Sequence, residues 1–193
     1  IDAPNYKTAY IGKWHLGDEI FQQRGFDAWV SMEDNYYDEY SAGKDINERS
    51  DYHKWLVNKG YTPKNQKKNR FGRGYAASLP IEHCKPTFLQ ENAIKFLEEN
   101  RNQPFIMYVS FLEPHMPFTG PLDSLYDPDE VILPETFFNE WEEDMPTSYR
   151  NKSEKDMKKY GPSEQKIREL IARYWGLVTQ VDKSVGAIIE KLD

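Results

Sequence analysis

Cysteine is almost absent. One residue, Cys84, in 193 excludes an internal disulfide framework and any multi-cysteine zinc site. Histidine is scarce as well, with four in the chain: His15, His53, His83 and His115. No apolar run approaches the ~18 residues that a membrane-crossing helix needs, so no membrane span is expected. Positive charge is in deficit: 25 Lys and Arg face 32 Asp and Glu, for a net charge of −7. That balance argues against a nucleic-acid binder, while leaving room for local basic patches. There is no internal repeat and no low-complexity tract. The chain opens on Ile1-Asp2-Ala3 without an initiator methionine or a leader, and closes on Asp193 directly after an amphipathic pattern. It therefore reads as an internal segment of a longer protein, and its compartment and oligomeric state stay open.

What is present suits a globular chain with an aromatic-rich core, since Phe, Trp and Tyr make up 15% of the residues. Tyr6 to Ile11 (YKTAYI) is β-branched and aromatic and reads as a short strand. GFDAWV, Gly25 to Val30, is a short apolar piece, followed by an acidic, tyrosine-rich stretch from Glu33 to Tyr40. Ser50 can cap a helix through Tyr52, Trp55 and Leu56, with Gly60 suited to its C′ position. Thr62 to Gly74 carries Lys64, Lys67, Lys68, Arg70 and Arg73, and reads as an exposed loop. A helix is predicted after Pro86, with Leu89, Ala93, Phe96 and Leu97 on one face. Pro104 to Leu112 is almost continuously apolar, as expected of a strand buried on both faces. Thr119 to Pro162, rich in Pro, Asp and Glu, reads as a long irregular excursion. Ser163 can then cap a long helix whose apolar residues run from Ile167 to Leu192 at i, i+3/i+4, i+7 spacing. Strand, helix, strand, helix makes the class α/β.

The stretch Tyr10 to Gly17, YIGKWHLG, stands out. If the extended path continues past Gly12, Lys13 and His15 point to one side and Trp14 to the other. An arbitrary K-x-H is more often a surface lysine beside a hydrogen-bonded histidine. Here, however, the first strand runs straight into Lys13 and His15. The apolar strand likewise runs into His115, in the loop Glu113-Pro114-His115-Met116-Pro117. Ligands of open α/β sheets gather at the carboxyl ends of strands. Two histidines and a lysine at that edge suit a tetrahedral oxyanion: fixed positive charge, hydrogen-bond donors and proton carriers.

The other candidates are weaker. His53 falls inside a predicted helix and reads as structural or solvated. His83 beside Cys84 offers too few ligands for a metal. The basic residues from Lys64 to Arg73 could attract a polyanionic glycan, although charge runs are usually just solvated. Asp127, Asp129 and Glu130 lack the spacing and glycine of a calcium loop. For Asp182, inside the long helix, packing or hydrogen bonding is the better reading.

YKTAYIGKWHLG resembles the second signature of the sulfatase family, G-Y-x-T-x-x-x-G-K-W-H-L-G. PFIMYVSFLEPHMPF resembles that family's later strand and its P-H-x-P loop. GFDAW and YWGLVTQVDKSVGAIIEKL match further landmarks in order, and Asn5 departs from the family's usual glycine. The resemblance implies an alkaline-phosphatase-like α/β domain, a mixed or parallel sheet flanked by helices, of which residues 1–193 would be an incomplete central part. It also implies a sulfuric ester hydrolase acting on a small-molecule or glycan sulfate ester, with a calcium ion and a formylglycine nucleophile. Lys13 would bind sulfate and orient the nucleophile, His15 would help eliminate sulfate, and His115 would bind a sulfate oxygen or protonate the leaving group. The nucleophile motif C-x-P-x-R and the metal-binding acids would lie outside this segment, which alone is expected to be inactive. Cys84-Lys85-Pro86-Thr87-Phe88 copies the C-x-P spacing but has Phe88 in place of the arginine and follows the lysine–histidine motif, so Cys84 reads as an ordinary small thiol. Two alternatives stay open: a phosphonate monoester hydrolase or phosphodiesterase of the same superfamily, and a non-catalytic carbohydrate-binding relative.

Overall fold

The computed structural model describes residues 4–64, 69–138, 142, 144–161 and 163–192. Three parallel strands form its sheet: β1 (Lys7–Gly12), β2 (Ala28–Ser31) and β3 (Phe105–Ser110), in the order β2-β1-β3. Ala9 pairs with Ala28 on one side and Met107 on the other, which fixes the register. Around the sheet lie α1 (Asp51–Asn58), α2 (Arg73–Ala77), α3 (Lys85–Asn100), α4 (Thr147–Tyr160) and α5 (Glu164–Glu190).

Strand alternation sorts the two faces. Ala9 and Ile11 of β1, fully buried, pack with Leu89, Ala93, Phe96 and Leu97 of α3 and with Ile188 of α5 in the main core. Burial of this apolar surface drives the layering. Residues of the opposite parity, Tyr10, Trp29 and Tyr108, stand in a row across the other face. Tyr10 stacks on Trp29 with ring centroids 5.0 Å apart, and Phe26 and Trp14 close against the same rings.

The predicted helix starts hold where a side chain caps them. Ser50 Oγ accepts from the His53 amide and Ser163 Oγ from the Lys166 amide. Gly60 takes a φ of +88° just past α1, as a C′ residue does.

Three expectations change. β3 is not buried on both faces: it pairs only with β1 and forms an edge of the described sheet, where Tyr108 remains 56% exposed. The excursion from Thr119 to Pro162 is not irregular throughout, because Thr147–Tyr160 forms α4. That helix has no apolar stripe to betray its period. It rests instead on helix-favouring polar residues, including a Lys152–Asp156 pair at 2.9 Å. Arg73, read as part of an exposed loop, opens α2. Lys67 and Lys68 lie outside the described residues.

Gly12 ends β1 with a φ of +122°, and a Cβ there would overlap the backbone carbonyl of Ser110. The Lys13 amide donates to that same carbonyl at 2.8 Å. Gly17 also has a positive φ, +87°, but open space around it. Gly12→Ala is therefore expected to cost roughly 2–3 kcal/mol of stability, and Gly17→Ala only about 1 kcal/mol. Urea denaturation of the two variants in the full-length protein checks the difference; equal costs would mean that Gly12 is not held by the neighbouring strand.

Candidate functional site

Each strand delivers residues to the carboxyl edge of the sheet. Lys13 and His15 follow β1, Glu33 follows β2, and Glu113 and His115 follow β3. Trp14 turns to the aromatic face, with its ring centroid 4.9 Å from Tyr10 and 5.2 Å from Trp29. The two residues flanking it meet a common neighbour. Lys13 Nζ sits 4.5 Å over the Tyr36 ring, and the His15 ring lies 5.0 Å from it. His15 is exposed, whereas the Lys13 side chain is 9% exposed. Tyr10 Oη donates to the Lys13 carbonyl and helps hold the chain at this turn.

Lys13 does not stand alone. Its Nζ donates to Glu19 at 2.6 Å and lies 2.7 Å from Glu33 Oε1. An ammonium has three donors, and Glu19 takes two of them, since its second oxygen also lies 2.6 Å from Nζ. With Glu33 all three are engaged. Glu33 is the hub of the cluster. Arg73 grips it with Nε at 2.9 Å and Nη2 at 2.7 Å, and Lys85 Nζ lies 3.5 Å away. Burial by itself would raise the Glu33 carboxyl, but Arg73, Lys85 and Lys13 outweigh it and hold it down at about 2. Burial wins at the neighbours. It raises Glu19 despite Lys13, and raises Glu113 despite Lys85. Burial likewise lowers Lys85, although Glu33 and Glu113 pull the other way.

His115 closes the chain of contacts. Its Nδ1 lies 2.9 Å from the Met116 carbonyl and 3.5 Å from Arg73 Nη1. The shorter bond needs a proton on Nδ1, which leaves Nε2 to accept one in the neutral ring. Lys13 is bonded to Glu33 and Glu33 to Arg73, while Lys13 and His15 share Tyr36. His115 is only a 3.5 Å neighbour of Arg73 once its Nδ1 carries the proton for Met116.

Sequence reasoning missed Glu33, Arg73 and Lys85. Glu33 had a readable signal, since it lies two residues past a strand end, as His15 lies three past another. Lys85 had none: a lysine in the first turn of a helix is ordinarily solvated, and this one is buried.

The remaining candidates have other work. His53 is buried with Nδ1 at 3.0 Å from Asp34, whose other oxygen accepts the Ser50 amide at 2.6 Å. His83 Nδ1 pairs with the Tyr61 hydroxyl at 2.7 Å. The Cys84 thiol is buried, donates toward the Leu79 carbonyl at 3.3 Å and is pushed up by burial to about 11, which suits an inert thiol. Asp127 caps its own turn by accepting the Asp129 amide at 2.9 Å. Among the described residues no group of three or more His, Cys, Asp or Glu is placed to hold a metal. The acids beside Lys13 are engaged by Lys13 and Arg73, so these residues do not fit a calcium ion. No helix among them is long and apolar enough to cross a membrane.

The fold is that of the alkaline-phosphatase-like hydrolases. It superposes on the phosphonate monoester hydrolase SpPMH from Silicibacter pomeroyi with a TM-score of 0.65 at 18% identity, over 97% of this chain and 41% of that one. The family model for Sulfatase matches residues 2–193, and the chain belongs to the sulfatase family. An uncharacterized sulfatase, YidJ, of Escherichia coli K12 is 30% identical over 127 residues, which are 62% of this chain and 22% of the relative. The ulvan-active sulfatase of Formosa agariphila is 24% identical over 99% of this chain and 30% of its own length. The chain therefore spans under a third of these curated relatives.

Proposed function

We propose that the protein is a sulfuric ester hydrolase and that this chain supplies the oxyanion-binding edge in the central part of its catalytic domain. The observation that carries this reading is the contact chain from Lys13 through Glu33 and Arg73 to His115, built at three strand ends of a sulfatase-family domain. Lys13 holds a sulfate oxygen with a donor given up by one of the two Glu19 oxygens, and Glu33 fixes the ammonium in place. His15, exposed beside Tyr36, offers a hydrogen bond to the attacking group and assists sulfate release. His115, with Nδ1 tied to Met116, presents Nε2 to hold or pass a proton to the departing alcohol. The formylglycine and calcium ion that the family resemblance implies find no seat among the described residues, so no step is assigned to them.

Phosphonate or phosphate monoester hydrolysis is the second reading, favoured by the fold shared with the phosphonate monoester hydrolase. The cluster sets Lys13, Arg73 and Lys85 against Glu19, Glu33 and Glu113, and a phosphonate monoester is a monoanion like a sulfate ester. Charge alone therefore does not choose between them, and the family match favours sulfate. Initial rates of the full-length protein on 4-nitrophenyl sulfate, 4-nitrophenyl phosphate and a phenylphosphonate monoester decide between them. The sulfate is expected to lead in kcat/KM by at least about tenfold, roughly 1.4 kcal/mol in transition-state binding. A reversed ratio hands the site to phosphorus esters. Turnover of none, with glycan binding retained, identifies the non-catalytic carbohydrate binder.

A further inference from the structure

Immediately beside His115 opens a cleft of about 630 Å³, whose wall includes the two residues that follow that histidine. This volume lies within the range of small-ligand sites, roughly 300–1,000 Å³. Its charge is unlike that of the chain as a whole. Arg73 of α2, Lys159 of α4, and Lys166 and Arg173 of α5 line it, against a single carboxylate, Glu169. Lys166 and Arg173 are seven residues apart, two helical turns, and so share one face of α5. Lys166 is bound to Glu169 at 2.7 Å. Lys159 Nζ sits 4.5 Å over the Tyr160 ring. Arg173 makes no hydrogen bond or close ion pair among the described residues, but its charge acts on Glu169. Between these cations the cleft offers aromatic surface, with Phe118 and Tyr160 ring centroids 6.0 Å apart.

The geometry points to a subsite for the leaving group of the ester, and to a leaving group that is itself an anionic sugar. The inference rests on the sulfatase reading of Lys13 and His115 and deepens it by naming the substrate class: an oligosaccharide with a second sulfate or carboxylate near the sulfate that is cleaved. The scissile sulfate lies at the Lys13–His115 edge. The departing alcohol faces His115, and its ring packs against Phe118 and Tyr160. The neighbouring anion meets Arg173 and Lys159. Uncharged or purely aromatic alcohols could use the rings but not the cations, which carry the discrimination. Positive lining in a chain of net charge −7 also favours the approach of a polyanion at this mouth.

The test uses the full-length protein and the double variant Lys159→Ala/Arg173→Ala, with Arg173→Lys as the conservative control. The two substrates are 4-nitrophenyl sulfate and a disulfated, uronate-containing disaccharide of the chondroitin type. The variant is expected to raise KM for the disaccharide by about 10- to 50-fold, with kcat/KM for the aryl sulfate within about threefold of the parent, and Arg173→Lys should fall between. Calorimetry with the same disaccharide lacking its scissile sulfate reads the subsite without catalysis. A matching loss of affinity there upholds the subsite even if no sulfate ester is turned over, an outcome that would overturn only the sulfatase reading. Equal losses on both substrates, unchanged disaccharide affinity, or a lowered Tm with unchanged affinity (a cleft filled by another part of the chain) would each overturn it.

Discussion

Lys13→Ala in the full-length protein is expected to lower kcat on a sulfate ester by about 100- to 1,000-fold, the usual loss when a fixed electrostatic stabiliser is removed. Folding should suffer far less. Glu33 keeps Arg73 and Lys85 as partners, and Glu19, already raised by burial, takes up a proton instead of remaining an unpaired buried charge. A stability loss of no more than about 2 kcal/mol is expected on that basis. Initial rates and urea denaturation, measured on the same preparation, separate the two effects. Turnover within a few-fold of the parent would make Lys13 a bystander. A stability loss large enough to account for the missing activity would make it structural.

Glu33→Gln should do the reverse, with its main effect on the fold. The substitution leaves Lys13, Arg73 and Lys85 facing one another with their shared counter-charge gone. Breaking buried pairing of this kind costs on the order of 3–5 kcal/mol. The pH dependence supplies a second signature. Glu33 is held at about 2 against an ordinary 4.5. Its contribution is therefore complete above pH 4.5 and is lost as pH falls toward 2, on the order of 3 kcal/mol across that window. Glu19 and Glu113, raised by burial, act with the opposite sign: what they contribute is present at low pH and lost as pH rises through their folded values. Acid denaturation followed by circular dichroism should show the parent losing more stability than Glu33→Gln between pH 4.5 and 2. Parallel curves would mean that the three cations do not depend on this carboxylate.

Local patterns made much of the fold legible. β1 was readable from its β-branched and aromatic run, and α3 and α5 from apolar spacing. Ser50 and Ser163 marked two helix starts because a capping hydroxyl acts within three residues. β2 was visible only as an apolar piece, since four residues carry too little alternation to name a strand. The openness of β3 was not legible, because whether a strand has one neighbour or two is decided far away in the chain. The site divides in the same way. Lys13, His15 and His115 announce themselves by following strands, a local fact. Glu33 and Arg73 are 40 residues apart in sequence and meet only through packing. Lys85 runs against the expectation for its residue type, since a buried lysine is tolerated only where carboxylates such as Glu33 and Glu113 wait for it.

The row of rings on the open face of the sheet gives the protein an optical property. Trp14 and Trp29 lie 5.2 Å apart at an interplanar angle of 68°, with Tyr10 against both. Indoles this close and this far from parallel couple their transition dipoles, so the pair rotates polarised light as a unit rather than as two independent chromophores. Trp14 is covalently joined to Lys13 on one side and His15 on the other, and its ring rests on the strand that carries them. On the proposed reading, an anion seated at Lys13 would shift the field at an indole one peptide away, and the ellipticity of this pair would then follow occupancy of the site with no label attached.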